Sequence, residues 1–171
     1  MKVILYMAMS LNGVIARENN KEDFLSHKNW EVFIELAKKS GCIIWGRKTN
    51  ELVRSWGKPY TDDIQNITKV VVSSHTDVES NSKYILAASP AEAIEKIKKE
   101  GFKEVILAGG SQLNSSFAKE DLIDEIVINI EPVIIGKGIS LFFPEEFSAK
   151  LKLLTTKQLG NIIQLHYKVV R

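Results

Sequence analysis

The stretch Ile43-Ile44-Trp45-Gly46-Arg47-Lys48-Thr49 places a glycine and two cations directly after a short apolar run. This order predicts a buried strand, a tight turn and the start of a helix. A glycine lets a ligand approach the backbone closely, and the first N–H groups of a helix, with its dipole, favour an anion. The stretch therefore predicts a phosphate-binding turn, although a basic surface turn after a buried strand accounts for the same residues.

The segments on either side of this stretch are predicted to be helical. Apolar residues recur at i, i+3, i+4 and i+7 from Trp30 to Ala37, which is the spacing of an amphipathic helix. Gly41 is well placed to end that helix. A short helix is predicted from Thr49 to Val53. The polar segment 55–68, with its glycine and proline, is predicted to be a loop.

Strands and helices alternate along the first part of the chain, and strands follow one another along the last part. Strands are predicted at 3–9, 42–45, 69–73, 84–86, 105–108, 126–130, 151–155 and 162–170, and further helices start near Ser89 and Leu113. This pattern predicts an α/β fold with a mainly parallel central sheet, helices on both faces and an antiparallel C-terminal hairpin. With neither repeat nor linker in 171 residues, a single domain over 1–171 is expected.

The composition argues against several classes of protein. The chain is 44% hydrophobic and 26% charged with a net charge of +2, so neither nucleic acid nor a membrane is an expected partner. The single cysteine, Cys42, excludes an internal disulfide and suits a reducing compartment, which favours the cytoplasm. The three histidines have no metal-ligand spacing, so no metal site is expected.

Turns with glycines or hydroxyls follow three further predicted strands. They are Gly109-Gly110-Ser111-Gln112-Leu113, Val71-Val72-Ser73-Ser74-His75 and Met9-Ser10-Leu11-Asn12-Gly13. Turns after parallel strands gather at the carboxyl edge of the sheet, where ligands bind, and paired glycines leave room for a diphosphate. Each stretch alone fits an ordinary turn as well, and neither glycine turn is a complete dinucleotide or Walker A motif. The serines suit a phosphate monoester, and the region around Asn12 suits the flat edge of a base or a nicotinamide.

The order of these motifs resembles that of the dihydrofolate reductase-like superfamily. The likeness is closest to the branch that includes the C-terminal reductase domain of bacterial riboflavin biosynthesis proteins (RibD), and it covers essentially the whole chain. The segments that carry it are 10–16, 46–49, 72–74, 109–113 and 133–138 with Leu141-Phe142.

The resemblance implies an NADPH-dependent reductase that transfers a hydride to a small pteridine-like or pyrimidine-like heterocycle, or to a carbonyl or imine. The implied cofactor contacts are Ala8 and Ile15 for the nicotinamide, Gly46, Arg47, Lys48 and Thr49 for phosphate, Ser73 and Ser74 for the adenosine 2′-phosphate, and Gly109, Gly110, Ser111, Gln112 and Leu113 for the diphosphate. Independently of the family, a basic pair favours the extra phosphate of NADP over NAD.

The resemblance also implies a homodimer. Candidate interfaces are the apolar run from Ile123 to Ile135 and the C-terminal hairpin, although the same strands serve equally well as core.

The residues that are expected to bind the substrate match neither the pattern of dihydrofolate reductases nor that of riboflavin reductases. The carboxylate that dihydrofolate reductases place on the first helix falls near Asn29 or Trp30, and neither is acidic. Thr49 is not followed by the Asp-x-Pro-x-Leu segment of riboflavin reductases. An alternative is therefore a non-catalytic nucleotide-binding or interaction protein that retains the fold.

Candidates for proton delivery come from the predicted pocket. They are Asn12, Trp30 and Glu31, with Asp23 more consistent with a solvated loop. Trp30 also begins the apolar stripe of its helix and fits a core position equally well.

Overall fold

The computed structural model describes residues 1–74 and 83–171. The strands are β1 (Lys2–Ser10), β2 (Val14–Ala16), β3 (Cys42–Gly46), β4 (Thr68–Val72), β5 (Tyr84–Ala87), β6 (Glu104–Leu107), β7 (Glu125–Glu131), β8 (Ile139–Ser140), β9 (Lys150–Leu159) and β10 (Ile162–Val170). The helices are α1 (His27–Ser40), α2 (Arg47–Trp56), α3 (Tyr60–Asp63), α4 (Pro90–Lys99) and α5 (Ser111–Lys119). His75, the last residue of the predicted serine turn, lies outside the described residues.

An eight-stranded sheet has the order β5-β4-β3-β6-β1-β7-β10-β9. The pairs from β5 to β7 are all parallel. The last two pairs, β7 with β10 and β10 with β9, are antiparallel. The predicted parallel sheet with an antiparallel C-terminal hairpin is confirmed.

Helices cover both faces of the sheet, which explains the continuous apolar runs in its central strands. Val3 and Leu5 of β1 belong to the core cluster under α4 and α5. Ile4 and Tyr6 belong to the cluster under α1 and α2. Successive side chains of a strand point to opposite faces, so a strand between two layers must be apolar at every position.

The region after β3 is more helical than its sequence predicts. The helix predicted from Thr49 to Val53 extends over Arg47–Trp56, and α3 lies within the predicted loop 55–68. A four-residue helix is too short to show the 3.6-residue period by which helices are recognised. None of the helices in 1–74 and 83–171 has the length and apolarity needed to cross a membrane.

A small second sheet pairs β2 with β8, an element that the sequence pattern did not predict. The two strands approach closely because Gly138 precedes β8. A Cβ on Gly138 would lie 2.4 Å from Cγ1 of Val14 and 2.5 Å from the carbonyl oxygen of Ala16. Strand β8 has two residues, so its pairing depends on this long-range contact and not on a local pattern.

Candidate cofactor and substrate site

The predicted turns lie at one edge of the sheet. Gly46 ends β3, and Gly109 follows the neighbouring parallel strand β6. The backbone N–H of Gly46 donates a hydrogen bond of 2.8 Å to the carbonyl oxygen of Gly109. Ser73 follows β4, on the other side of β3, and its N–H donates to the carbonyl of Ala87 at 2.9 Å. The turns after β3, β4 and β6 are therefore neighbours at the carboxyl edge.

Two helices begin at these turns with their first N–H groups directed away from the helix body. The residues before α2 and α5 are Gly46 and Gly110, which provide no side-chain cap, and neither first turn contains an acidic residue. The first N–H groups of a helix have no acceptor within the helix, and the dipole favours a negative charge there. Both helix starts are suited to bind phosphate oxygens.

The glycine turn after β6 leaves space and an unsatisfied hydroxyl for a ligand. Oγ of Ser111 is buried and has no hydrogen-bond partner. Gly109 has a φ of +78°, and a Cβ there would lie 3.2 Å from Sδ of Met7. A Cβ on Gly110 would lie 3.6 Å from Oγ1 of Thr49, across the gap between the two turns. Because buried hydroxyls are normally hydrogen-bonded, the orphaned Ser111 hydroxyl fits an absent polar ligand such as a dinucleotide diphosphate.

The two cations of the first turn differ in their pairing. Nη1 of Arg47 lies 2.6 Å from Oε1 of Glu51, one turn along α2. Lys48 is exposed and forms no ion pair with any described residue. The Arg47–Glu51 pair is partly solvent-exposed, so it is weak and an incoming phosphate can replace the carboxylate.

A cavity of about 720 Å³ opens beside the turns, between β1 and the helices α1 to α3. Ala8, Ile15, Thr49 and Ala108 line it on the side of the sheet edge. Aromatic side chains make up much of the remaining lining; they are Tyr6, Trp30, Phe33, Trp45, Trp56 and Tyr60. A pocket with this volume and apolar lining suits a small aromatic ligand.

Trp30 is at the centre of the aromatic wall. Its ring centroid lies 5.0 Å from that of Tyr60 and 5.8 Å from that of Trp56, both edge-on. Its Nε1 donates to Oδ2 of Asp63 at 2.8 Å, which fixes the orientation of the ring. Trp30 packs on Phe33 as well, so it is both part of the core and part of the cavity lining.

The segment between β2 and α1 forms another wall and brings two carboxylates to the cavity. Glu22 is half-buried, and burial raises the pKa of its carboxyl to about 7. Asp23 is exposed and accepts a hydrogen bond of 2.5 Å from Nε of Arg17, which lowers the pKa of that carboxyl. Glu22 was not predicted from the sequence, because a polar loop has no periodic pattern to show which side chain turns inward.

A buried carboxylate anchors the end of this wall. Oε1 of Glu131 accepts hydrogen bonds from the backbone N–H of Ser26 at 2.8 Å, from Oγ of Ser26 at 2.6 Å and from Nδ2 of Asn29 at 2.6 Å. Asn29 also accepts from Nδ2 of Asn129, and its carbonyl accepts from the hydroxyl of Tyr6. This network joins the start of α1 to β1 and β7.

The candidate catalytic residues from the sequence analysis do not all reach the cavity. Trp30 lines it. Glu31 is not among the lining residues, and its carboxylate pairs with Nζ of Lys28 at 2.8 Å on an exposed helix face. The side chain of Asn12 is bonded to Oγ of Ser10 and to both backbone groups of Ile135, so it fixes the turn after β1. The catalytic roles of these residues stay predictions.

The sequence matches that of the RibD C-terminal domain over residues 1–165. YwjB of Bacillus subtilis strain 168, an uncharacterized protein, is 34% identical over 172 residues, with 97% of each chain covered. A protein of Shewanella sp. PV-4, provisionally assigned to riboflavin biosynthesis, has a crystal structure that superimposes with a TM-score of 0.83 at 27% identity over 100% of both chains.

A more distant structure shares the fold. It is that of the diaminohydroxyphosphoribosylaminopyrimidine deaminase/5-amino-6-(5-phosphoribosylamino)uracil reductase of Thermotoga maritima. The TM-score is 0.74 at 17% identity, and the match covers 99% of this chain and 56% of the other.

The fold and the site together define an α/β domain of the dihydrofolate reductase-like type. The chain belongs to the RibD C-terminal domain family. The resemblance stated from the sequence is confirmed, and with it the reductase-like character of the domain.

Proposed function

We propose that this protein is an NADPH-dependent reductase that transfers a hydride to a small heterocyclic, carbonyl or imine substrate. The observation that carries the proposal is the convergence of turns 46–49 and 109–113 beside an aromatic cavity. The fold shared with a uracil-derivative reductase of T. maritima supports it, as does membership of the RibD C-terminal domain family. The proposal treats residues 1–171 as one domain.

The cofactor would be held by backbone groups and by a few side chains. In this proposal the starts of α2 and α5 bind phosphate through their N–H groups, and the unpaired hydroxyl of Ser111 donates to the diphosphate. Ala8 and Ile15, which line the cavity at the sheet edge, flank the nicotinamide. When bound, the nicotinamide supplies the hydride, and the chain supplies position and exclusion of water.

The preference for NADPH over NADH is assigned to the turns after β3 and β4. Arg47 and Lys48 begin the helix after β3, and Ser73 and Ser74 follow the adjacent strand β4. Guanidinium and hydroxyl groups bind a phosphate monoester with charge-assisted hydrogen bonds. These groups are the proposed contacts of the adenosine 2′-phosphate, which NADH lacks.

Titration with NADPH and with NADH, followed by nicotinamide fluorescence, tests this assignment. Arg47→Ala is expected to weaken NADPH about 10-fold and NADH less than about 2-fold, because one charge-assisted contact is worth roughly 1.4 kcal/mol or more. Lys99→Ala is the matched control, since it removes another cation with an i,i+4 acidic partner, Glu95 at 2.6 Å, on a different helix. An equal loss of affinity for NADPH and NADH would contradict the assignment of Arg47 to the adenosine 2′-phosphate.

A second candidate function is nucleotide binding without catalysis. The observation that favours it is the absence of an acidic side chain at the cavity end of α1, where Asn29 and Trp30 stand. Oxidation of NADPH in the presence of pterins, pyrimidine ribosyl compounds and simple carbonyls separates the two functions. A reductase consumes NADPH with at least one of these classes, whereas a binding protein consumes none.

We also propose a homodimer that functions in the cytoplasm in reactions related to riboflavin biosynthesis. Strand β9 lies at the sheet edge and exposes Leu151, Leu153 and Leu154, and β10 exposes Ile163 and Val170. The free thiol of Cys42 is buried and suits a reducing compartment. Sedimentation of the wild type and of Leu153→Lys tests the dimer, which the substitution is expected to dissociate; a monomeric wild type contradicts it.

A further inference from the structure

We propose that Glu22 is the catalytic acid of this site, and that it protonates a flat heteroaromatic substrate that carries no phosphate group. This inference rests on the proposed reductase function and deepens it. It names the residue that delivers the proton and the chemical class of the substrate.

Glu22 is part of the wall of the cavity. The residue lies on the segment between β2 and α1, and it lines the same cavity as Ala8, Ile15 and Ala108 at the sheet edge. It is half-buried, and no hydrogen bond or ion pair to another described residue engages its carboxylate. A half-buried carboxyl that faces a cavity without a partner is available to a ligand.

The ionisable groups around the cavity differ in their environment, and Asp23 and Tyr6 are less suited than Glu22 to deliver a proton. Those that line it with Glu22 are Tyr6, Lys21, Asp23, His27 and Tyr60. Asp23 is ionised at neutral pH because the Arg17 guanidinium holds its pKa below the ordinary range. Burial raises the pKa of Tyr6, whose hydroxyl already donates to the carbonyl of Asn29. Glu22 differs because burial keeps part of its population protonated near neutral pH.

The reaction step balances with Glu22 as the acid. A bound reduced nicotinamide would supply the hydride that forms a C–H bond at the carbon of a ring C=N bond. The π electrons of that bond move to nitrogen, where an N–H bond forms as the O–H bond of Glu22 breaks. The carboxylate then recovers a proton from water that enters through the cavity mouth. The substrate gains two electrons and two hydrogens in all, and the cofactor is oxidised.

The walls of the cavity indicate the substrate class. Trp30, Trp56 and Tyr60 contact one another edge-on with centroids 5.0 to 5.8 Å apart, and together they give the cavity an aromatic wall that suits a planar ring. Among the described residues that line the cavity, Lys21 alone has a fixed positive charge, and Glu22 and Asp23 flank it in the sequence. A phosphate ester requires several cations or free N–H groups, and in the proposed function those belong to the cofactor turns.

The first experiment observes Glu22 directly in the protein without cofactor. Glutamate labelled with ¹³C at the carboxyl carbon is titrated by NMR in the wild type and in Glu22→Gln, and the resonance missing from the variant is that of Glu22. The expected midpoint is near pH 7. A midpoint in the ordinary range near 4.5 overturns the proposal.

The second experiment measures ring binding and reduction with 7,8-dihydropterin and with 5-amino-6-(5-phosphoribosylamino)uracil. Quenching of Trp30 and Trp56 fluorescence is expected to show tighter binding of dihydropterin, with a pH dependence that Glu22→Gln abolishes and the matched control Asp23→Asn retains. Single-turnover NADPH oxidation should slow about 100-fold or more in Glu22→Gln, with the wild-type rate falling above pH 7. Tighter binding of the phosphorylated compound, or equal rates in wild type and Glu22→Gln, overturns the proposal.

Nicotinamide fluorescence keeps the two proposals separable. Glu22→Gln is expected to bind NADPH within about 2-fold of the wild type, because Glu22 is on the segment between β2 and α1 and is not part of the turns assigned to phosphate. If the wild type binds no NADPH, the proposed function fails. If NADPH binds and the Glu22 outcomes above are not observed, only the assignment of Glu22 fails.

Discussion

The backbone N–H of Gly46, at the end of β3, donates a 2.8 Å hydrogen bond to the carbonyl oxygen of Gly109, just beyond β6. This bond holds side by side two turns that are 63 residues apart in the sequence. Each turn begins a helix, α2 or α5, and each helix lacks a side-chain cap. Two uncapped helix starts held side by side offer two sets of N–H donors, which suits a ligand with several phosphates.

Gly109→Ala is expected to destabilise the protein and to weaken dinucleotide binding. The position has a φ of +78°, and the new Cβ would lie 3.2 Å from Sδ of Met7. A positive φ for alanine costs about 1–2 kcal/mol, and displacement of Met7 adds to it. Urea denaturation measures the loss of stability, and nicotinamide fluorescence measures the loss of NADPH affinity.

Gly101→Ala is the matched control for that substitution. Gly101 has a φ of +84° but nothing within 4 Å of the added Cβ. The control should lose the stability that a positive φ costs an alanine, without the added cost of displacing Met7. Its affinity for NADPH should be unchanged. If both variants bind NADPH as the wild type does, the turn after β6 does not contact the cofactor.

Glu131→Ala is expected to lower the free energy of unfolding by about 2–4 kcal/mol. The substitution leaves three donors, two on Ser26 and one on Asn29, without their common acceptor. Chemical denaturation of the wild type, Glu131→Ala and Glu131→Gln measures the effect, and the glutamine variant, which keeps one acceptor oxygen, should fall between the other two. A loss below about 0.5 kcal/mol for the alanine variant would show that this network does not anchor the wall.

The stability of Glu22→Gln relative to the wild type should depend on pH. Because burial raises the folded-state pKa to about 7, the folded protein keeps a proton that the unfolded chain releases above about pH 4.5. The contribution of Glu22 to the free energy of unfolding is therefore fully present below pH 4.5 and falls between pH 4.5 and 7. Above pH 7 it no longer changes with pH.

The glutamine variant lacks this titration, so its stability relative to the wild type should rise by about 1–3 kcal/mol across that window. Thermal and urea unfolding at pH 4.5, 6 and 8 provide the measurement. Asp23→Asn should show no such rise. A constant difference between Glu22→Gln and the wild type at all three pH values contradicts a buried carboxyl at position 22.

Much of the fold was predictable because most elements carry a local signal. The apolar spacing from Trp30 to Ala37 and the glycine at 41 mark α1 correctly, and Gly41 ends the helix with a φ of +71°. The continuous apolar run of β1 indicates a strand between two layers, which is its observed place. The turns at 46–49 and 109–113 were recognisable because their glycines follow apolar strands.

The parts that were not predicted depend on contacts distant in sequence. Strand β8 has two residues and exists because Gly138 allows it to approach β2. Helix α3 is a single turn whose Tyr60 completes the aromatic wall around Trp30. Glu22 stands in a polar loop, and its importance arises from the cavity that it faces. In each case a contact made only in the folded chain decides the outcome, and no local sequence pattern reports such a contact.

An NMR titration of the ¹⁵N-labelled protein with NADPH tests directly whether the two helix starts hold one dinucleotide. We expect the backbone amides of residues 47–49 and 111–113 to shift together and to saturate with one dissociation constant, because both helix starts are proposed to bind the same dinucleotide. Shifts confined to one of the two turns, or to neither, would contradict it.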